Sequence, residues 1–242
     1  MPKETDTRPF HLKQFSLFHH RSSMKVGTDS LLLGVWINTE KTNHILDIGT
    51  GCGILSLLMA ARSNAFIDAI ELDKISFEEA NQNFKASPFS DRLLPIYKDF
   101  RIYAQQCDKK YDLIISNPPF FINDMRPIEK VRSNARHGDQ LNYEELCAGV
   151  VKLLDTNGRF CLVLPYEESK VFITTARRFN MHLNKQMLVF PKRGLQPNRV
   201  NLEFIKEKVT SFINEKFVIR EENNLFTEQY ISYFKNYLIG LD

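Results

Sequence analysis

Apolar residues occur along the chain in two arrangements: short uninterrupted runs, and longer stretches in which they recur every three or four positions. The short runs predict buried strands, and the longer stretches predict amphipathic helices. The predicted strands are residues 45–48, 66–70, 93–97, 111–116, 159–164, 187–190 and 199–205, with a further short strand at 217–220 left open. The predicted helices include residues 54–61, 75–85, 143–154 and 167–179, and an aromatic helical stripe follows Thr227.

Strands and helices alternate through the first five strands, whereas the last two strands are joined by residues 191–198, too short a segment for a crossover helix. This alternation predicts an α/β fold with a doubly wound, mostly parallel sheet of seven strands, ending in an antiparallel hairpin. Ligands of such sheets bind beyond the carboxyl ends of the strands. The length suits one domain, 1–242, in which residues 1–30 form an N-terminal cap or substrate arm.

The first strand runs into three alternating glycines, Gly49, Gly51 and Gly53, and then into a helix. Glycine permits positive φ and lets a ligand approach the backbone closely, and the helix start offers free N–H groups. The spacing differs from the dinucleotide fingerprint, and Asp47 before the first glycine would repel a pyrophosphate but can hold an ammonium group. Glu71 follows the second strand, about 20 residues on, where a ribose-binding acid is expected. The stretch therefore predicts a nucleotide site.

Asn117-Pro118-Pro119-Phe120 follows the fourth strand and should lie at the same sheet edge. The side-chain oxygen of Asn117 and the carbonyl of Pro118 can accept hydrogen bonds from a planar amine, while the prolines add no N–H donor. Phe120 can stack on the ring that carries the amine, which is worth about 1–3 kcal/mol for a base. These residues favour methyl transfer to a planar amino nitrogen, but adenine N6, guanine N2 and glutamine amides all remain open.

These segments resemble the class I S-adenosylmethionine (SAM)-dependent methyltransferases. The likeness continues through Phe15-Ser16-Leu17-Phe18, Met24-Lys25-Val26-Gly27-Thr28-Asp29, Leu33-Gly34-Val35-Trp36, Pro197-Asn198-Arg199-Val200 and the tail at 217–220 and 226–230. It covers nearly the whole chain and is closest to the bacterial tRNA(Val) (adenine-37-N6)-methyltransferases, which modify the adenine 3′ of the anticodon. Tyrosine is frequent where this chain has Phe120, which keeps the stacking face but lacks the hydroxyl.

The resemblance implies SAM as the cofactor and adenine N6 in tRNA, at adenine 37 of tRNA(Val), as the methyl acceptor. It implies that Asp47 faces the methionine end, Glu71 the ribose, and Asp99 and Phe100 the adenine of the cofactor. The implied catalytic residues are Asn117, Pro118, Pro119 and Phe120. The implied cofactor-binding residues are Lys25, Gly27, Thr28, Asp29, Asp47, Gly49, Gly51, Gly53, Glu71, Asp99, Phe100 and Asn117. Thr28 or Asp29 is expected to cap a helix whose N-terminus faces the cofactor's carboxylate.

Charge is distributed unevenly, although the formal net charge is only +3. Residues 8–27 contain no acidic residue, and their basic residues alternate with phenylalanines. Such a segment suits contact with phosphates and unstacked bases, and a packed arm with solvated cations explains the composition equally well. Residues 121–140 predict a long polar loop that also contacts RNA. The candidate residues for nucleic-acid contact are Arg21, Arg126, Arg132, Arg136, Lys192 and Arg193.

Composition excludes several classes of protein. With 43% hydrophobic and 25% charged residues the chain is typical of globular proteins, and no apolar run is long enough to predict a membrane span. The N-terminus lacks the apolar core of a signal peptide. The four cysteines lack C-x-x-C spacing and predict buried thiols rather than disulfides or a zinc site. We therefore expect a cytoplasmic monomer without a metal.

Other functions fit part of these observations. A methyltransferase acting on a protein glutamine would have no use for a basic arm, and one acting on guanine N2 of rRNA differs only in its product. An NAD oxidoreductase is disfavoured by the glycine spacing and by Asp47. An inactive RNA-binding module is disfavoured because Asp47, Glu71 and Asn117 are all present.

Overall fold

The computed structural model describes residues 7–22, 25–118 and 141–241. Their strands are β1 (Phe10–His11), β2 (Ser16–Leu17), β3 (His44–Ile48), β4 (Phe66–Glu71), β5 (Leu93–Tyr97), β6 (Tyr111–Ser116), β7 (Leu154–Pro165), β8 (His182–Phe190), β9 (Arg199–Ile205) and β10 (Ile213–Val218). Their helices are α1 (Thr28–Trp36), α2 (Ile54–Arg62), α3 (Lys74–Ala86), α4 (Phe100–Gln106), α5 (Tyr143–Leu153), α6 (Tyr166–Arg178) and α7 (Glu228–Phe234).

Within these described ranges, eight strands form one sheet in the order β10-β8-β9-β7-β6-β3-β4-β5. Neighbouring strands are parallel, except that β9 is antiparallel to both β7 and β8. The predicted α/β class, the doubly wound parallel sheet and the antiparallel final pair are thereby confirmed. The predicted number of seven strands is wrong, because β10 adds an eighth strand parallel to β8.

Tertiary contacts, rather than an apolar run, hold β10 in the sheet. Phe217 is its one fully buried residue, and the strand begins four residues before the predicted 217–220 segment. Trp36 on α1 donates from Nε1 to Oε2 of Glu215 at 2.7 Å, and Lys185 on β8 pairs with Glu215 at 3.0 Å. Hydrophobic periodicity does not detect a strand that has only one fully buried residue.

The central strands are buried on both faces. On β3, Ile45 packs into a core shared with α1, α2 and α3, whereas Leu46 packs into a second core shared with α4, α5 and α6. Strands covered on both faces consist of continuous apolar residues, and this explains why β3, β4 and β6 could be predicted from short runs.

The start of α1 differs from the prediction. The N-cap residue is Gly27 in an extended conformation, and no side chain caps the helix. Thr28 and Asp29 are already helical, so the prediction that one of them is the cap is wrong. Asp29 instead accepts a hydrogen bond from Nε of Arg199 on β9 at 2.8 Å. This ion pair ties the first turn of α1 to the sheet.

Two further boundaries were not predicted. Helix α4 has seven residues, too few to show a period, and begins after Asp99, whose side chain accepts a hydrogen bond from Arg101 N. Helix α5 ends at Leu153, and β7 begins at Leu154 rather than at residue 159. Leu154 is fully buried and pairs with Tyr111 on β6, so the chain enters the sheet earlier than its polar residues indicate.

Residues 7–22 pack against the helices. Strands β1 and β2 form an antiparallel pair, and Leu12, Phe15 and Leu17 are buried in the core. Asn83 on α3 binds the backbone of Phe18 twice: Oδ1 accepts from its N–H at 2.8 Å, and Nδ2 donates to its carbonyl at 2.7 Å. For this segment the structure favours the packed-arm alternative.

Glu79 on α3 fixes the next residues of the same segment. Its fully buried carboxylate accepts hydrogen bonds from the backbone N–H groups of Arg21 and Ser22, both at 2.9 Å, and from the Ser22 hydroxyl. A buried carboxylate needs such donors, because burial without them would be costly. Glu79 therefore clamps the chain shortly before it reaches α1.

Within the part of the chain that the structure describes, no helix is long and apolar enough to cross a membrane. No three histidine, cysteine or acidic side chains gather there as a metal site would require. The four cysteines are free, and Cys52, Cys147 and Cys161 are buried, as expected from their spacing.

We expect Glu79→Ala to lower the free energy of unfolding by about 2–3 kcal/mol, because it leaves the buried N–H and hydroxyl of Ser22 and the partly buried N–H of Arg21 without their acceptor. Glu78→Ala is the matched control: the Glu78 side chain is 42% exposed and its recorded contact is the ion pair with Arg21, so its loss should cost less than about 1 kcal/mol. Urea denaturation at pH 7 measures both. Equal effects of the two substitutions would contradict the clamp.

Candidate active site

A cleft opens at the carboxyl edge of the sheet, where β3, β4 and β6 end beside the start of α1. It is lined by Lys25, Ser30, Gly49, Thr50, Gly51, Cys52, Ile54, Leu55, Glu71 and Asn117. The structure thus brings together Lys25, Gly49, Gly51, Glu71 and Asn117, all of which were predicted from the sequence. Ser30 also lines the cleft and was not singled out.

The glycines of the loop after β3 have two different roles. All three have positive φ, 70° at Gly49, 59° at Gly51 and 90° at Gly53. A Cβ on Gly53 would lie 2.4 Å from Cε1 of Phe84, so this glycine serves the packing of the loop on α3. A Cβ on Gly49 or Gly51 would meet nothing within 4 Å, and these two line the cleft. They leave room for a ligand against the backbone.

Asp47 lies under this loop and is fully buried. Its Oδ2 accepts hydrogen bonds from the hydroxyls of Thr50 and Ser56, both at 2.6 Å, while its buried Oδ1 has no hydrogen-bond partner in the part of the chain that the structure describes. Burial raises the pKa of Asp47 to about 6, and the nearby carboxylate of Glu71 adds to the rise. A cationic group that reached Oδ1 would stabilise the charged carboxylate.

Glu71 ends β4 at the rim of the cleft and is half-buried. Its Oε2 accepts a hydrogen bond from the N–H of Gly51 at 2.9 Å, and its Oε1 accepts from the N–H groups of Leu72 and Asp73. The carboxylate is held by three backbone donors, and a carboxylate has about four acceptor positions. It therefore retains capacity to accept from a hydroxyl of a ligand.

Asn117 follows β6 on the other side of the loop. Its Nδ2 donates to Oγ of Ser30 on α1 at 2.8 Å, and its buried Oδ1 has no partner among the described residues. Ser116 secures the strand end by donating to the carbonyl of Ile48 on β3 at 2.8 Å. Pro118 is buried, and Pro119 and Phe120 lie outside the described residues. Asn117 thus presents a free acceptor in the cleft.

The other residues predicted around the cofactor do not line this cleft. Gly27 and Thr28 are exposed at the start of α1, and Asp29 is bonded to Arg199. Asp99 makes a bidentate pair with Arg101, which lowers its pKa. None of them is placed beside the glycine loop by the contacts that the structure records.

Phe100 is buried in the core instead of facing the cleft. A Cβ on Gly149 of α5 would lie 2.5 Å from Cε1 of Phe100, so the ring fills the space that this glycine leaves. The ring points there because Phe100 is the first residue of α4, which packs on α5. The structure does not bring the Phe100 ring to the position expected for the side chain that covers the cofactor adenine.

Two of the basic residues predicted to contact nucleic acid are paired with acids. Arg21 binds Glu78 at 2.9 Å, and Arg193 binds Glu221 through two nitrogens, which raises the pKa of Arg193. Lys192 and Arg193 lie in the β8–β9 loop at the carboxyl edge, on the same side of the sheet as the cleft. Arg126, Arg132 and Arg136 lie outside the described residues.

The residues of the cleft fit the cofactor that the sequence implies. Asp47 and Asn117 each hold a buried oxygen that has no partner in the described ranges, at the edge where ligands of such sheets bind, and Gly49 and Gly51 leave an open cradle against the backbone. The polar groups of the site are carboxylates, an amide and backbone groups. Their oxygens can accept hydrogen bonds from an ammonium group, ribose hydroxyls and an amine. Ser30 could have been found only through its place at the start of a helix near this cleft.

Known proteins similar to this chain include methyltransferases. Residues 16–186 match the family model described as methyltransferase small domain. A Bacteroides fragilis protein named tRNA1(Val) (adenine(37)-N6)-methyltransferase is 36% identical over 235 residues, which are 96% of this chain and 98% of that protein. A Tolumonas auensis protein of the same name is 38% identical over 225 residues, 92% and 93% of the two chains.

Solved structures show the same fold. The structure of an Agrobacterium tumefaciens protein, titled a predicted O-methyltransferase, superposes with a TM-score of 0.68 at 17% identity and covers 86% of this chain and 96% of its own. At that identity the likeness concerns the arrangement of strands and helices, not the substrate.

Asp47 ionises at higher pH in the folded protein than in the unfolded chain, where a pKa near 3.8 applies. The folded state binds the proton more tightly, so the contribution of Asp47 to stability falls as the pH rises from about 4 to about 6. We expect Asp47→Asn to gain up to about 3 kcal/mol relative to the wild type across this window. Urea denaturation between pH 4 and 8 measures the difference, and a difference independent of pH would contradict the assignment.

The same substitution should weaken SAM binding at pH 7.5 about 10-fold or more, because the ligand's ammonium group loses an anionic partner. Asp68→Asn is the matched control: Asp68 is a buried acid on β4 that binds Tyr111 and Lys109 and does not line the cleft. Isothermal titration calorimetry measures both affinities. Unchanged affinity in Asp47→Asn would exclude a direct contact between Asp47 and the ligand.

Substitutions of Gly49 and Gly53 should separate binding from stability. Both residues have positive φ, so alanine costs about 1–3 kcal/mol of strain at either position. Gly53→Ala also forces a contact with Phe84 and should lower stability by about 1–3 kcal/mol more. Gly49→Ala should remain the more stable of the two and lose SAM affinity, because its Cβ occupies the cradle. Thermal denaturation and calorimetry test the pair, and SAM binding by Gly49→Ala at wild-type affinity would refute the cradle.

Proposed function

Because this chain belongs to the tRNA1(Val) (adenine(37)-N6)-methyltransferase family, we propose that it transfers the methyl group of SAM to the exocyclic N6 of an adenine in tRNA. The acceptor that we propose is adenine 37 of tRNA(Val), in the anticodon stem-loop. The observation that carries the proposal is the free, buried Oδ1 of Asn117 beside the glycine loop.

An exocyclic amine is a poor nucleophile because its lone pair is delocalised into the ring. Two acceptors that hold its two N–H groups allow the nitrogen to become pyramidal and direct its lone pair at the methyl group. Oδ1 of Asn117 supplies one acceptor, and the carbonyl of Pro118 supplies the second. Stacking of the base on Phe120 stays a prediction from the sequence.

In this proposal each residue around the cradle binds a different part of the cofactor. When bound, SAM supplies a methyl group on a positively charged sulfur. Gly49 and Gly51 admit the cofactor against the backbone, Asp47 holds its ammonium group through Oδ1, and Glu71 accepts from its ribose hydroxyls. Lys25 and the uncapped N-terminus of α1 are suited to its carboxylate.

Positioning provides most of the rate enhancement in this scheme. Holding the amine in line with the methyl group converts a bimolecular reaction into an effectively unimolecular one. The site needs no strong base, because the amine becomes acidic only once it has attacked, and water can then take the proton from N6. This agrees with a cleft whose buried carboxylate, Asp47, is already engaged by Thr50 and Ser56.

The substrate that we propose is compatible with the rim of the cleft. An anticodon loop is single-stranded, so extruding one base costs less than it does in a duplex. Lys192 and Arg193 lie at the same edge as the cleft and are candidates for phosphate contact, together with the arginines of residues 121–140. Residues 1–30 act as the cap of the site, and we propose that the protein acts as a monomer.

Analysis of the product tests the function. The protein is incubated with SAM and unmodified tRNA(Val) transcript, and the digested nucleosides are identified by mass spectrometry. We expect N6-methyladenosine, and its loss when adenine 37 is replaced by guanine. Methylguanosine would instead assign a guanine-N2 activity, and a methylated protein glutamine without a methylated nucleoside would refute an RNA substrate.

Asn117→Ala links this product to the site. It should lower transfer about 100-fold or more while SAM still binds, because it removes an acceptor that acts on the amine alone. Asn214→Ala is the control, since Asn214 is an exposed amide on β10 far along the sheet. Wild-type turnover by Asn117→Ala would contradict the proposed role of Oδ1.

A further inference from the structure

The hydrogen bond between Ser30 and Asn117 joins two elements that are far apart in the sequence. Ser30 lies in the first turn of α1 and is buried, and its Oγ accepts from Nδ2 of Asn117 at 2.8 Å. Both side chains line the cleft. We infer that Ser30 is a positioning residue that anchors the side-chain amide of Asn117, so that Oδ1 stays directed at the substrate amine. This inference rests on the proposed function.

An asparagine amide requires such an anchor. Its terminal torsion is broad, because rotation about an sp³–sp² bond meets no sharp staggered minima. Within the described part of the chain Oδ1 of Asn117 has no partner, so the bond from Nδ2 to Ser30 is the recorded side-chain contact that holds the amide. When a substrate N–H donates to Oδ1, Nδ2 must still find an acceptor, and the hydroxyl of Ser30 provides it. Without Ser30 a buried N–H donor would be left unpaired or the amide would turn away.

Ser30 can serve as an anchor because α1 is fixed at several points. A Cβ on Gly34, one turn later, would lie 2.5 Å from Cδ1 of Leu58, so α1 and α2 are in close contact. The pair of Asp29 with Arg199 fixes the start of the helix to β9. At the other end of α1, the bond from Trp36 to the edge strand β10 fixes its last turn. The position of Ser30 relative to the sheet is therefore set by contacts that do not involve the ligand.

The other partner is fixed independently. Ser116 binds the carbonyl of Ile48, which holds the end of β6 against β3 just before Asn117. With both backbones fixed, the 2.8 Å bond determines the direction of the amide. A misplacement of about 1 Å in a reacting group can reduce the rate about 100-fold. The loss of the Ser30 hydroxyl should therefore affect turnover more than binding.

The test measures kcat and KM for tRNA(Val), the affinity for SAM and the melting temperature of five proteins. These are wild type, Ser30→Ala, Asn117→Ala, the double variant Ser30→Ala/Asn117→Ala, and Ser169→Ala as the matched control. Ser169 is an equally buried serine whose hydroxyl bonds within α6, so its variant should keep wild-type turnover. We expect Ser30→Ala to lower kcat about 10- to 100-fold, with KM and SAM affinity changed less than about 3-fold.

The double variant separates positioning from a merely structural role. If Ser30 acts through Asn117, removing both should reduce kcat no further than Asn117→Ala alone. Multiplied losses in the double variant would overturn the inference, as would wild-type kcat in Ser30→Ala or a loss of SAM affinity as large as the loss of kcat.

A second pair keeps the inference testable if Ser30→Ala does not fold. Threonine and valine have nearly the same volume, but only Ser30→Thr keeps the hydroxyl, which Ser30→Val replaces with a methyl group. The value of kcat should therefore be largely retained in Ser30→Thr and reduced in Ser30→Val. Equal kcat in the two variants would overturn the inference.

Failure of the proposed function can be told apart from failure of the inference. If the wild-type protein produced no N6-methyladenosine, the proposed function itself would fail. If the wild-type protein were active and Ser30→Ala were equally active, only the inference would fail.

Discussion

The register of three parallel strands determines where the glycine loop, Glu71 and Asn117 lie. Ile48 on β3 is paired with Ile70 on β4 and with Ser116 on β6. The ladder of backbone hydrogen bonds holds neighbouring strands about 4.8 Å apart. The residues that follow these pairs are the start of the glycine loop, Glu71 and Asn117, and they leave the sheet side by side. A shift of one residue would send alternate side chains to the opposite face. The site is thus assembled by the backbone before any ligand contributes.

This arrangement has a cost in stability that the surrounding packing offsets. Among the residues that the structure describes, Oδ1 of Asp47 and Oδ1 of Asn117 have no hydrogen-bond partner, and the loop after Asp47 contains glycines at positive φ. A buried polar atom without a partner costs about 1–3 kcal/mol. The second polar atom of each side chain is satisfied. Oδ2 of Asp47 accepts from Thr50 and Ser56, and Nδ2 of Asn117 donates to Ser30. Each side chain is therefore held at one end and free at the other, which prepares it for a ligand.

A feature could be predicted from the sequence when the residues that form it lie close together along the chain. The strands β3, β4 and β6, the glycine loop and Asn117 were predicted because their signals lie within a few consecutive residues. Ser30 was not, because its role depends on a partner 87 positions away. Phe100 was expected at the cofactor because of the resemblance, and the short helix α4, which begins with Phe100, was not predicted. Strand β10 begins four residues before the predicted segment because Phe217 is its one fully buried residue, so its other positions give no apolar signal.

The N-terminal segment shows why composition alone left two interpretations open. Its basic and aromatic residues suited RNA contact and packing equally. Two polar residues on α3 favour packing, because they bind the backbone of this segment. Asn83 binds the backbone of Phe18 and also donates to the carbonyl of Cys52 in the glycine loop at 2.8 Å, so one amide joins the segment, the helix and the loop. Glu79 holds the residues that follow. The chain then reaches Lys25 and α1, both at the cleft. Asn83 and Glu79 therefore tie residues 7–22 to α3, and Asn83 ties them to the glycine loop as well.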